Sequence, residues 1–334
     1  MRLDRTQAEA LLSRIQGLKV VVLGDLMLDE YLFGEVNRIS PEAPVPIVRV
    51  IRERSVLGGA ANVAANLKAI GADPVVIGTL QNDVAGERLL HLFAGLGVHS
   101  GGIVLDSKRP TIIKTRVIGQ QQQMLRIDRE EPGDLHEEAV EGLRASLAKA
   151  LEGAHALIVS DYAKGVVGPS VMETVRDLCL VQGIPWIVDP KPSHRELYHG
   201  ATLMTPNTKE LSELSGQPSK TDADVARAGR QLAGDLGLAG LLVTRSEKGM
   251  ALFAPDAVHK EPWFIPTEAR EVFDVSGAGD TVIAVFSAAV AAEGDWKDAA
   301  MLANAAAGIV VAKVGTATAT PSEILANYQA QEAL

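Results

Sequence analysis

Short, continuously apolar runs, each closed by a small or polar residue, recur along the chain: KVVVLGD (19–25), DPVVIGTL (73–80), HALIVSD (155–161), PWIVDPK (185–191), ATLMTPN (201–207) and GLLVTRS (240–246). Such runs predict strands covered on both faces, the habit of parallel sheets. Between most of them the apolar positions repeat with helical period, as in GGAANVAANLKAIG, EEAVEGLRASLAKALEG, SVMETVRDLCLVQG and DVARAGRQLAGDLG. After Val275 the pattern becomes Ala-rich helix. Strand and helix in alternation predict an α/β fold, a doubly wound, mostly parallel sheet flanked by helices. Two stretches, about 29–57 and 109–130, alternate apolar and polar residues without helical period, the second around a Gln-rich turn at 120–123. Inserted into an α/β core, they predict a small β-sheet lid on a single domain spanning 1–334.

Composition narrows the partners. A net charge of −10 argues against nucleic acid, whose phosphates need a basic face, yet leaves room for a few local Arg and Lys to hold a small anion. Cys179 is the only cysteine, so neither an intramolecular disulfide nor a cysteine metal cluster is available, and its place in METVRDLCLVQG reads as a packed core thiol. No secretory leader and no apolar run of about 20 residues is visible, which predicts a cytoplasmic protein with no membrane partner.

The predicted strands end in Asp25, Asp161, Asp189-Pro190-Lys191, Asn207 and Thr244. Each alone reads first as a turn former or helix cap, but open parallel sheets bind ligands beyond these carboxyl ends, and five polar ends on one edge point to a binding crevice. There is no GxxxxGK[ST], no GxGxxG after the first strand, no HExxH and no GxSxG, and the histidines are scattered. Hydride transfer, zinc hydrolysis and serine catalysis lose ground accordingly. What remains is FDVSGAGDTV (273–282), where Gly277-Ala278-Gly279 opens a helix and Asp280 stands in its first turn. Unpaired N–H groups and the positive helix pole there suit an anion, and Asp280 could accept a proton. A flexible helix entry with an N-terminal charge explains the same residues.

The motif Asp274-Val275-Ser276-Gly277-Ala278-Gly279-Asp280 matches D-x-[ST]-G-A-G-D; GGAANVAANLKAIG supplies two glycines, an Asn and an Ala-rich helix; Asn207-Thr208-Lys209-Glu210 supplies N-x-x-E. In this order they resemble the signatures of the ribokinase-like (PfkB) sugar kinases. Within that family the chain resembles the branch acting on heptose 7-phosphate, through GDLMLDEY, RISPEAPVPIV, VSDYAKG, DPK, TPNTKE, LLVTRSEKGM and ANAAAGIVVAKVGT. Many relatives carry a nucleotidyltransferase domain after the kinase. This sequence ends at Leu334, so the resemblance is to the free-standing kinase.

The resemblance implies transfer of the γ-phosphoryl group of ATP to the anomeric C1 hydroxyl of D-glycero-D-manno-heptose 7-phosphate. The product, heptose 1,7-bisphosphate, leads to ADP-heptose and the lipopolysaccharide core. Asp280 is then the general base, and the N–H groups of Gly277, Ala278 and Gly279 cradle the transferring group. Lys191, Asn207, Thr244, Gly249, Asn304 and Gly308 are implied around ATP, and Glu210 reaches its Mg2+ through water. Asp25, Gly58, Gly59 and Asn62 are implied at the sugar. Arg38, Lys114, Arg116 and Arg126 of the lid are the candidates for the 7-phosphate, and strand alternation puts Lys114 and Arg116 on one face. A homodimer through the lid is implied as well, and a monovalent-cation site near Asp274 is left open. The competing readings are another sugar-phosphate kinase, acting on fructose 1-phosphate or tagatose 6-phosphate, and a catalytically inactive sugar or nucleotide sensor.

Overall fold

The computed structural model describes residues 3–120, 122–255, 261–269 and 271–332; Gln121 of the Gln-rich turn lies outside them. Val20 and Val22 are buried in one hydrophobic core, and Val21 and Leu23, their neighbours on the same strand, in another. An apolar strand of this kind has to be covered twice, and helices pack on both faces of the sheet that contains it.

The strands in chain order are β1 (Lys19–Gly24), β2 (Leu26–Ile39), β3 (Pro46–Gly59), β4 (Asp73–Ile77), β5 (Thr79–Leu80), β6 (Val104–Leu105), β7 (Ile112–Gly119), β8 (Gln122–Arg129), β9 (Ala156–Ser160), β10 (Trp186–Asp189), β11 (Leu203–Met204), β12 (Gly240–Thr244), β13 (Met250–Phe253) and β14 (Trp263–Ile265). Among the described residues the main sheet has eight strands in the order β14-β13-β12-β11-β10-β9-β1-β4. It is parallel except for β13 and β14, which add antiparallel at one edge and were not among the expected strands. The expected strand 73–80 breaks at Gly78, and its end, β5, pairs with β6 in a separate ribbon. A Cβ at Gly78 would lie 2.6 Å from the Gly24 carbonyl oxygen, so the chain passes too close there for any other residue. Strand order reverses at β1, with β4 added on one side and β9 on the other. The carboxyl ends of β1 and β9 therefore flank the switch point where ligands collect in such sheets.

The second sheet, in the order β3-β2-β7-β8, rises from this edge. Only Asp25 separates β1 from β2, so this sheet starts earlier than residue 29: Leu26, Met27 and Leu28 still belong to the core. Register places Asp29, Tyr31 and Phe33 of β2 beside Lys114, Arg116 and Ile118 of β7, with Arg126 of β8 across from Arg116. Between this face and the 273–276 segment lies a cavity of about 690 Å³, lined by Tyr31, Phe33, Arg52, Arg116, Asp274 and Ser276 among others. The opposite face carries Leu125 and Ile127, both exposed.

Candidate active site

The helix Ala278–Ala291 is buried nearly all round, which fixes its first turn against the switch point. Its N-cap, Gly277, has φ +79°, and a Cβ there would meet the Asn62 amide nitrogen at 2.7 Å. Glycine is required on both counts. The Ala278 N–H donates to the Val275 carbonyl (3.2 Å), so it is spent on the turn rather than turned outward as expected. Among the described residues no protein acceptor takes the N–H groups of Gly277, Gly279 or Asp280. A Cβ at Gly279 would meet nothing within 4 Å. The helix pole is thus open to an anion from the Gly279 side. Asp274 anchors the approach, its carboxylate accepting from the Ser276 N–H (2.9 Å) and the Gly315 N–H (3.0 Å).

Asp280 is buried, and each carboxylate oxygen has a donor: Asn62 Nδ2 on Oδ2 at 2.7 Å and Tyr162 Oη on Oδ1 at 2.9 Å. Burial pushes its pKa up to about 6, against the pull of the two hydrogen bonds and of Lys191 and with a push from Asp29. The group is ionised at neutral pH yet more basic than an exposed carboxylate, which suits a proton acceptor. One N–H of the Asn62 amide is thus given to the base.

Asp25 does not face the cavity. It is fully buried, and its carboxylate accepts the N–H groups of Tyr162 (2.9 Å), Lys164 (3.1 Å) and Val166 (3.1 Å). Burial and then Asp161 raise its pKa to about 6 while these N–H groups hold it down. The carboxylate at the root of the lid is Asp29, which is not among the expected residues. It accepts from Arg116 Nη1 at 2.8 Å and lies beside Gly58, where a Cβ would come within 2.8 Å of its oxygen. Gly58 is thus small because of Asp29, and Gly59, φ +57°, turns the chain into the helix Ala60–Ala69. The period-two pattern Met27, Asp29, Tyr31 in the sequence already put an acid on the inner face.

The expected lid cations divide. Arg116 lines the cavity. Lys114 is held by Asp128 (3.7 Å) and Glu130 (3.9 Å), and Arg126 is half-exposed and forks onto Asp128 (2.9 and 3.0 Å). Arg38 is exposed at the far end of β2, beside Ile47, away from Asp280. Arg52, not anticipated, lines the cavity with its guanidinium 4.1 Å over the Phe33 ring and, among the described residues, has no ion-pair partner.

On the other side of Asp280, Asn207 and Glu210 form a reciprocal capping box on the helix Thr208–Ser215: Asn207 Oδ1 accepts the Glu210 N–H and Glu210 Oε2 the Asn207 N–H, both at 2.9 Å. Glu210 Oε1 is left to Lys191 Nζ at 3.5 Å, and Lys191 also lies 5.3 Å from the Tyr162 ring centroid. Burial, Glu210 and Asp280 hold the Asp189 carboxyl well above the usual range. Thr244 ends β12 next to Asn207, its N–H on the Pro206 carbonyl at 3.0 Å. Gly249, Asn304 and Gly308 converge on the 265–269 segment: a Cβ at Gly249 would strike the Ile265 carbonyl, Asn304 Nδ2 donates to the Pro266 carbonyl at 2.8 Å, and a Cβ at Gly308 would lie 3.2 Å from Ala269 N. Among the described residues no group of three or more His, Cys, Asp or Glu could hold a metal ion by itself, and no helix is long and apolar enough to cross a membrane. Cys179 is buried, its thiol pushed up to about 12.

A helix pole open to an anion, a buried carboxylate at its first turn and an arginine-bearing lid over both have the layout of a sugar kinase. The chain belongs to the pfkB family of carbohydrate kinases, whose family model matches residues 18–323. It is 47% identical over 319 residues to the bifunctional protein HldE of Desulfatibacillum aliphaticivorans, covering 96% of this chain and 65% of that protein. The chain thus spans about two thirds of the bifunctional relatives it matches. It is 46% identical to the D-beta-D-heptose 7-phosphate kinase of Bordetella bronchiseptica, with 93% of this chain and 96% of that one covered. Among solved structures, Arabidopsis thaliana ribokinase complexed with ribose and ATP shares the fold at TM-score 0.72 and 22% identity, covering 94% of this chain and 99% of that one. Escherichia coli phosphofructokinase-2 does so at 0.78 and 19%, covering 95% and 99%.

Proposed function

We propose that this chain transfers the γ-phosphoryl group of ATP to the anomeric C1 hydroxyl of D-glycero-D-manno-heptose 7-phosphate, giving heptose 1,7-bisphosphate. The observation that carries the reading is Asp280, a buried carboxylate held by Asn62 and Tyr162 at the mouth of an open helix pole. The similarity to the Bordetella kinase over nearly the full length of both chains supports the choice of sugar.

In this reading Asp280 takes the proton of the C1 hydroxyl as the oxygen attacks the γ-phosphorus in line. Positioned base catalysis of this kind is worth about 10²–10⁴ in rate. The N–H groups of Gly277, Gly279 and Asp280 receive the charge that builds on the phosphoryl oxygens. Asp29 accepts from ring hydroxyls. Arg52, stacked on Phe33 and without a carboxylate partner among the described residues, joins Arg116 as the seat of the 7-phosphate. Lys191 steadies the ATP phosphates between Glu210 and Tyr162, with Thr244, Gly249, Asn304 and Gly308 framing the nucleotide side. Glu210 Oε1, held by Lys191, fits a water-mediated contact to Mg2+ carried on ATP, which would supply charge neutralisation when bound. The apolar outer lid face, with Leu125 and Ile127 exposed, fits a second copy of the chain; Ile127→Glu would then halve the mass seen in sedimentation.

NMR of the product made from heptose 7-phosphate and ATP tests the reading. The expected result is a phosphate on C1 that disappears with Asp280→Asn. Faster turnover of fructose 1-phosphate or tagatose 6-phosphate would replace the sugar, and ATP binding without transfer would point to a sensor.

A further inference from the structure

The segment Asp161–Gly165 has more holding it than a connecting turn needs. Ala163 sits at φ +55°, a left-handed conformation unfavourable for a residue with a Cβ, and such strain persists only where the surroundings over-determine it. They do so here. Asp161 Oδ1 accepts the Ala163 N–H at 2.7 Å, and Asp161 is itself held by Tyr198 Oη (2.6 Å) and His194 Nδ1 (2.7 Å). Asp25 accepts the N–H groups on both sides of Ala163, those of Tyr162 and Lys164, and that of Val166 beyond. Two buried carboxylates are thus committed to the shape of one short loop. That shape delivers one side-chain atom to the centre, Tyr162 Oη, 2.9 Å from Asp280 Oδ1.

We propose that Tyr162 is a positioning residue for phosphoryl transfer: its hydroxyl, presented by the strained 161–165 loop, fixes the Asp280 carboxylate by one oxygen while Asn62 fixes the other. The plane of the base is then set before the sugar arrives, and the remaining lone pairs are aimed at the acceptor hydroxyl. The inference rests on the assignment of Asp280 as the base. A phenol that donates to a carboxylate also favours its ionised form, so Tyr162 offsets part of the burial that pushes Asp280 up to about 6. The other charged groups acting on Asp280 are Asp29 from β2, itself paired with Arg116, and Asp189 and Lys191 from the end of β10. Lys191 lies 5.3 Å from the Tyr162 ring, so the residue also joins the acceptor side to the nucleotide side.

The test follows Asp280 itself. Aspartate labelled with 13C at the carboxyl carbon reports its titration, with Asp280→Asn identifying the resonance. Tyr162→Phe keeps the ring under Lys191 and the backbone on Asp25; the Asp280 midpoint should rise by about one pH unit. Replacing Tyr162 by 3-fluorotyrosine, a stronger donor, should move the midpoint the other way. In turnover of heptose 7-phosphate, kcat of Tyr162→Phe should fall about tenfold at pH 7, with KM for ATP unchanged. A midpoint unmoved by both replacements would overturn the proposal, as would a moved midpoint with kcat intact. If the wild-type protein transfers phosphate to no sugar phosphate, the kinase reading fails, while the titration still decides whether Tyr162 holds the carboxylate.

Discussion

Asp280→Asn should make the protein more stable while removing its activity. The carboxylate is buried, and its pKa is raised from 3.8 to about 6. Between these two values the folded chain holds this proton more tightly than the unfolded chain does. The contribution of Asp280 to stability is therefore most favourable below about pH 4 and is lost as the pH rises through 6. A shift of this size corresponds to about 3 kcal/mol, at about 1.36 kcal/mol per unit. An asparagine has no ionisation to oppose, and its amide can keep both partners: the oxygen accepts from Asn62 and the NH2 donates to the Tyr162 oxygen. The variant should thus gain about 3 kcal/mol at pH 8 and nearly nothing at pH 4. With an unfolding entropy of about 2.1 cal/mol/K per residue, that is a rise of about 4 °C in Tm at the higher pH. Urea unfolding or calorimetry of both proteins at the two pH values measures it, and phosphoryl transfer should drop at least about 100-fold. Equal stability at pH 8, or a gain of the same size at both pH values, would refute the argument that burial of this charge costs folding energy.

Gly279→Ala should leave Tm unchanged or slightly higher, because a Cβ there touches nothing and Ala is the better helix former, yet should cut kcat about tenfold or more by crowding the anion's approach. Gly277→Ala, at φ +79° and 2.7 Å from Asn62, should instead cost about 2 kcal/mol or more in urea unfolding. Asp25→Ala leaves three N–H groups of the 162–166 loop without an acceptor and should lower stability by about 3–5 kcal/mol, seen as an earlier urea midpoint. Arg52→Met should raise KM for the phosphorylated sugar about 10-fold or more and leave the unphosphorylated heptose unaffected; an equal change for both sugars would remove Arg52 from the phosphate seat.

The parallel part of the fold is legible because its strands sit in continuous apolar runs, covered on both faces and closed by polar residues. KVVVLGD carries enough of the pattern to place β1 and the polar edge after it. The edge strands β13 and β14 are short and lie beyond Gly249, where no alternation builds up, and they escape a reading based on periodicity. Asp280 and its glycines are legible because a helix pole, small residues and an acid fall together in one stretch. Asp25 misled for the same reason that it is informative: an acid at a strand end looks like a ligand group, and only its burial and the three N–H groups converging on it show that it shapes the next loop. Asp29 is hidden because it falls where the apolar start of β2 passes into the alternating lid pattern. Tyr162 and Arg52 come to the site through tertiary geometry, one by a left-handed Ala163 and the other by register across Phe33; VSDYAKG marks the family but not the contact its tyrosine makes.

The junction of β1 with β2 makes the lid a lever. The fourteen residues of β2 follow β1 after a single intervening residue, Asp25, the first three still in the core, and at about 3.3 Å per residue the strand reaches about 45 Å. A tilt of about 10° at that fulcrum sweeps the tip by about 8 Å. Arg52, partway along the arm, moves by less, while Asp29 near the pivot hardly moves. The fulcrum is also the carboxylate that shapes the loop behind the base. Loosening it would slacken both the root of the lid and the stop against which Asp280 is set.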